Sequence, residues 1–219
     1  MLEYLGVFFE QFDWDALLDA LQRVLGVLVC LTVHETAHGL AAYALGDPTE
    51  KRMKRLSFNP IRHIDWLGLA SMFLCGFGWA KPVPVDMRYF RNPRLGMAVT
   101  AVAGPLSNFL LSMGMIFGAS VIATGIVGYS SFCFWMFEFM LTTAGLSIGL
   151  GLFNLVPIPP LDGSKIVGAI LPEHIYYTLM RYERYGMILL MLIIWLDFGG
   201  SYLTSAIEAI YYWMIGLFF

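Results

Sequence analysis

From Leu95 to Tyr129 the chain runs for 35 residues without a charge, and this stretch constrains the fold more than any other feature. A bilayer core about 30 Å thick is crossed by ~20 helical residues, so the stretch can span it with tilt to spare. Composition points the same way: 58% of the 219 residues are hydrophobic, 13% are charged, and mean hydropathy is +0.70. Soluble domains carry roughly 45–50% apolar and about 25% charged residues. The bilayer is therefore the solvent for this chain. Its length suits one membrane-embedded domain, residues 1–219, with nothing left for a separate soluble module.

Two further stretches read as crossings. Ser130 to Leu161 is interrupted only by Glu138, and Leu17 to Leu45 is apolar apart from Asp19, Arg23 and the cluster at His34–His38. The latter is helical, because no proline occurs before Pro48 and Ala and Leu abound. Trp66 to Ala80 is too short to span comfortably; it suggests a re-entrant or interfacial segment, tolerated only where protein or a wet cavity covers its backbone. Tyr185 to Phe219 holds two apolar runs broken by Asp197 and Gly199–Gly200. It is either a helical hairpin or one span followed by an interfacial helix. The expected fold is an all-α polytopic membrane protein. Its three-helix core covers about 17–165, a short re-entrant or β-like cytoplasmic segment interrupts it, and additional C-terminal helices occupy about 173–219.

Nine of the thirteen Lys and Arg residues fall between Asp47 and Arg94. Basic residues favour the cytoplasmic side, which puts that region inside and the acidic N-terminus outside. The first crossing then runs inward, the next outward, and the third returns to end near Leu161 on the cytoplasmic side. Two distant segments thus finish at similar depths. The first fifteen residues carry Glu3, Glu10, Asp13 and Asp15 and no base, unlike a secretory signal. A net charge of −3 argues against nucleic acid as a partner. Cys30, Cys75 and Cys133 lack paired spacing, so neither a disulfide framework nor a thiolate metal site is expected. No internal repeat is visible, which weakens a transporter built from duplicated halves.

His34-Glu35-Thr36-Ala37-His38 matches H-E-x-x-H. Residues four apart share a helical face, so both imidazoles can reach one metal with Glu35 beside it. Zinc with two such ligands needs a third from the protein, leaving one position for water. The metal acidifies that water, and the glutamate accepts its proton. Ionisable groups cost roughly 2.5–3.5 kcal/mol each at the centre of a membrane helix, so three clustered there imply a function. His63, Asp65, Glu138, Asp162, His174 and Asp197 are the candidates for the third ligand. Asp162 stands out: Pro157, Pro159 and Pro160 break the incoming helix before it, and Gly163 permits an unusual turn after it. A plain helix cap is the alternative for that aspartate.

Together, HETAH in the first core segment and Asn154-Leu-Val-Pro-Ile-Pro-Pro-Leu-Asp162-Gly163 in the third resemble the site-2 protease family of intramembrane metalloproteases. Ala103-Gly104-Pro105-Leu106-Ser107-Asn108 resembles that family's G-P-x-x-N element. Gly78-Trp79-Ala80-Lys81-Pro82-Val83-Pro84-Val85 resembles its K-P-V-P-V segment, whose alternating Val and Pro suit an edge strand that could hold an unwound substrate. The resemblance implies Zn2+ held by His34, His38 and Asp162, with Glu35 as general base and acid. It also implies that Asn154, and similarly Asn108, holds substrate or the developing oxyanion. Gly104 and Pro105 are expected to allow close helix packing.

The implied activity is zinc-dependent hydrolysis of peptide bonds in or near transmembrane segments of membrane proteins, as in regulated intramembrane proteolysis. A prokaryotic cell membrane is the expected location, with the active site towards the cytoplasm. No stretch is long and polar enough for a PDZ or paired-CBS module. Two competing readings stand beside this one. In one, a zinc protease of another family takes a downstream acid such as Glu138 as third ligand. In the other, a metal-ion transporter or channel uses His34, His38 and Asp162 as a transit site, and Glu35 is dispensable.

Overall fold

The computed structural model describes residues 13–219 apart from 69–70, 72–80, 82–83, 127, 173, 177–180, 182 and 197–198. Three long helices form its frame: α1 (Trp14–Ala44), α3 (Pro93–Ala123) and α4 (Ser131–Leu155). Between α1 and α3 lies the one-turn α2 (Thr49–Arg52), and after α4 come α5 (Asp162–Ile170), α6 (Glu183–Trp195) and α7 (Gly200–Ile215). The three long helices are apolar and long enough to cross a membrane, and α6 with α7 forms a bent pair that together passes the same test.

Each long helix starts where a side chain can satisfy a free backbone N–H. Asp13 accepts from the Ala16 amide, Asn92 from Leu95 with Pro93 in the first turn, and Ser130 from Cys133. The third crossing was expected to extend to Leu161, but α4 ends at Leu155. Val156 precedes Pro157, which disfavours helical backbone at that residue, and Val156 is extended at φ −61°, ψ 129°.

α1, α3 and α4 pack against one another. α3 and α4 run antiparallel at close range. A Cβ on Gly151 would lie 3.3 Å from the Pro105 carbonyl oxygen, and the Ser147 hydroxyl donates to the Asn108 carbonyl at 2.8 Å. α7 covers the far side of α4, where Ile116, Ala144, Ile148 and Met214 form an apolar cluster.

α5 is pinned at both ends. At its start, a Cβ on Gly163 would meet the Leu155 carbonyl oxygen at 2.2 Å, so glycine is there for close approach and not for a left-handed turn. At its end, the Arg94 guanidinium donates to the carbonyls of Gly168 and Ala169, both at 3.2 Å, and to that of Leu171. On the loop side, the buried Asp47 carboxylate accepts from the Thr49 amide at 2.9 Å and the Asp86 amide at 2.8 Å, tying two connecting segments together.

The proposed re-entrant segment, 66–80, falls mostly outside the described residues. So does part of the expected edge strand at 81–85, where the Lys81 amide donates to the His63 carbonyl at 2.9 Å. Of the two C-terminal arrangements, the described residues show two helices bent by 84°, with α7 packed on α4.

Candidate metal centre

Every side chain of the centre comes from the frame just described. His34 and His38 stand one turn apart on α1, and their rings meet edge to face at a centroid distance of 4.5 Å. Their Nε2 atoms are 3.0 Å apart. Asp162 opens α5, and its Oδ2 lies 3.1 Å from His34 Nε2 and 3.0 Å from His38 Nε2. The residue 128 positions beyond His34 therefore closes the group. All three are buried, and among the described residues they form the group able to hold a metal ion. The Asp162 carboxylate faces the two imidazoles and, at 3.5 Å, accepts from Lys165.

The surroundings fit a cation bound by two Nε2 atoms and a carboxylate. His38 Nδ1 faces the Thr100 carbonyl oxygen at 2.7 Å. A carbonyl can only accept, so Nδ1 carries the hydrogen and Nε2 keeps its lone pair. Gly104 supplies the room: a Cβ there would lie 2.5 Å from His38 Nε2 and 2.6 Å from His34 Cε1. What was expected to be a helix-packing glycine is a notch for two imidazoles. The sequence signal was present in the Gly104-Pro105 pair, but nothing local says which groups fill the space.

Of the other candidate ligands, those that are described lie outside the group, His174 among them as an exposed residue. Asp65 accepts from the Leu67 and Gly68 amides, and His63 donates from Nε2 to the Ser57 carbonyl at 2.7 Å. Glu138 is exposed on α4 and outside the group, which leaves the Glu138-ligand reading without support. Asp197 falls outside the described residues. Asn154 turns its amide back onto its own helix, donating to the Leu150 carbonyl at 2.9 Å. Asn108 is fully buried beside His34, with its Nδ2 3.2 Å from the ring Nδ1.

One residue escaped the sequence reading. Glu50, on α2, is buried with both carboxylate oxygens lacking a hydrogen-bond partner among the described residues. It packs against the bare backbone of Gly39, where a Cβ would collide with its Oε2. Gly39 lies one turn beyond Glu35 on the same helical face. Burial, followed by the charge of Glu35, pushes the Glu50 carboxyl up to about 7.

Residues 119–196 match the model of peptidase family M50, a range that contains Asp162 but not the two histidines. The chain is also 35% identical over 187 residues to "Putative zinc metalloprotease YwhC" of Bacillus subtilis (strain 168), covering 85% of each chain. The chain belongs to peptidase family M50.

No solved structure matches it. As an M50 peptidase, the protein is an integral-membrane zinc metalloprotease of the site-2 type, acting on membrane proteins within the bilayer. His34, His38 and Asp162 can hold the zinc. The transport alternative finds no support in the family or in the relative.

Proposed function

We propose that this protease uses His34, His38 and Asp162 as its zinc ligands and Glu35 as its proton carrier, in a single catalytic domain spanning residues 1–219. The convergence of the three ligand atoms inside an apolar bundle carries this reading. When bound there, zinc polarises the scissile carbonyl and brings the pKa of a water towards ~7. The remaining work belongs to the chain. Glu35, adjacent to His34 on α1, takes a proton from the attacking water and returns it to the leaving amine. Thr100 holds the His38 ring in its coordinating form. The apolar faces of the three long helices keep competing water away.

The distribution of charge supports the finer placement. With the basic residues between Asp47 and Arg94 in the cytoplasm, the broken end of α4 and the start of α5 lie near the cytoplasmic face. Cleavage is then expected in or beside that end of a substrate's transmembrane segment, in a prokaryotic cell membrane. Asn154 sits one turn before the proline break and is the candidate to hold the substrate backbone. Its amide would have to leave the Leu150 carbonyl to do so.

The deciding experiment reconstitutes the purified protein in vesicles with a set of single-span substrates and locates cuts by mass spectrometry. Glu35→Gln is expected to lower cleavage by about 10²–10⁴-fold while leaving bound zinc unchanged. If the variant cleaves as fast as wild type, Glu35 is not the proton carrier. Cleavage retained by Asp162→Ala would remove the third ligand from the mechanism.

A further inference from the structure

We propose that Asn108 is a positioning residue that fixes His34 in its zinc-binding form, accepting the ring hydrogen through Oδ1. The inference rests on the zinc reading above and adds a residue that touches the ligand, not the substrate. His34 directs Nε2 at His38 and Asp162. Coordination through that nitrogen leaves the hydrogen on Nδ1, and a ring N–H held in a buried site needs an acceptor. For His38 the acceptor is a backbone carbonyl, that of Thr100. The polar atom found beside His34 Nδ1 belongs to Asn108, which is fully buried.

At present the amide shows Nδ2 to the ring at 3.2 Å, and its Oδ1 has no partner among the described residues. A half-turn of the amide exchanges the two atoms without changing the side chain's shape. Oδ1 then accepts from Nδ1–H, and Nδ2 turns to the side where Oδ1 had no partner.

The antiparallel α3–α4 seam supplies polar groups in that neighbourhood. Ser147 donates to the Asn108 carbonyl, and one turn further along the seam stand Ser112 on α3 and Thr143 on α4. Both are fully buried, and both hydroxyls lack a partner among the described residues. Ser112, one helical turn from Asn108 on α3, is the hydroxyl placed to accept from the turned amide, directly or through a buried water. Asn108 approaches His34 from the Nδ1 side of the ring and exposes no surface, so in this arrangement it faces the ligand.

The test measures zinc affinity of the purified full-length chain in detergent, by competition with a fluorescent chelator. Asn108→Leu keeps the volume and removes the acceptor; it is expected to weaken zinc binding by about 10–100-fold. Asn108→Asp can only accept, and is expected to bind zinc at least as tightly as wild type. Wild-type zinc affinity in a folded Asn108→Leu protein would overturn the proposal, whatever happens to cleavage. If the leucine variant does not fold, the aspartate variant decides, since a loss of about tenfold or more there overturns it equally. His34→Ala separates the two levels. Zinc retained by that variant sinks the ligand assignment itself, whereas zinc lost there but unaffected by Asn108→Leu sinks only the role of Asn108.

Discussion

α4 carries two buried stripes side by side, and they are built from opposite chemistry. Thr143, Ser147 and Gly151 face α1 and α3 near the metal centre, where Cys30 Sγ lies 3.6 Å from the Thr143 carbonyl and Ser147 bonds to Asn108. Ala144 and Ile148, about 100° further round the helix, pack against Ile116 of α3 and Met214 of α7. All four side chains at 143, 144, 147 and 148 are fully buried, so depth does not distinguish the stripes. The difference lies in what each has to do. Lipid tails are as apolar as isoleucine, so apolar packing between membrane helices gains only by fit. The apolar stripe therefore sets how tightly α7 sits. Small and polar residues bring backbones close and specify which atoms meet, and only that stripe reaches the ligands.

The sharpest way to break this contrast is Gly104→Ala, one methyl group added on the polar side. Its Cβ would intrude on both imidazoles, and the protein as purified is expected to hold less than about a tenth of the wild-type zinc. Metal analysis beside circular dichroism checks this; full zinc occupancy would mean the notch is not needed. On the apolar side, Ile148→Ala is expected to cost about 2–4 kcal/mol of stability and to leave zinc affinity unchanged. Denaturation in mixed micelles and chelator competition read the two quantities separately, and a weakened zinc site would show that the stripes are not independent.

Glu50 extends the comparison to the loop side, where a carboxylate is buried without a hydrogen-bond partner among the described residues. Its folded pKa, about 7, lies above the ordinary value of 4.5. A raised carboxyl contributes fully below its unfolded pKa, and that contribution is lost as pH rises through 7. Glu50→Gln is therefore expected to raise Tm by a few degrees at pH 8 and to change it little at pH 4.5. An equal effect at both pH values would point to packing instead of charge. The smallest expected effect is that of Ser147→Ala, about 0.6 kcal/mol for one interhelical hydrogen bond in a membrane bundle. A much larger loss would mean that Ser147 supports more than the Asn108 carbonyl.

How legible each part was follows from how local its cause is. The three long helices were readable because lipid solvation acts on each segment alone, and their bounds moved by only a few residues. The α4 end shifted from Leu161 to Leu155 because the backbone restriction before Pro157 acts six residues before the site it serves. His34 and His38 were readable as a pair because helical periodicity alone puts them on one face. Gly163 was expected to permit an unusual turn, yet it is needed for contact with the Leu155 and Val156 carbonyls, a requirement imposed by another helix. Thr100 contributes through a carbonyl that every residue type possesses, so no reading of side chains could single it out. In sequence Glu50 is one acid among basic neighbours, and only packing onto Gly39 makes it unusual.

By itself, then, the sequence determined the solvent, the crossings and the histidine spacing, since each depends on residues within one helix of each other. Tertiary structure decided which acid joins the histidines, which atoms hold their rings, and which glycine makes room. Those outcomes depend on contacts between α1, α3 and α5, whose relative placement no single segment encodes.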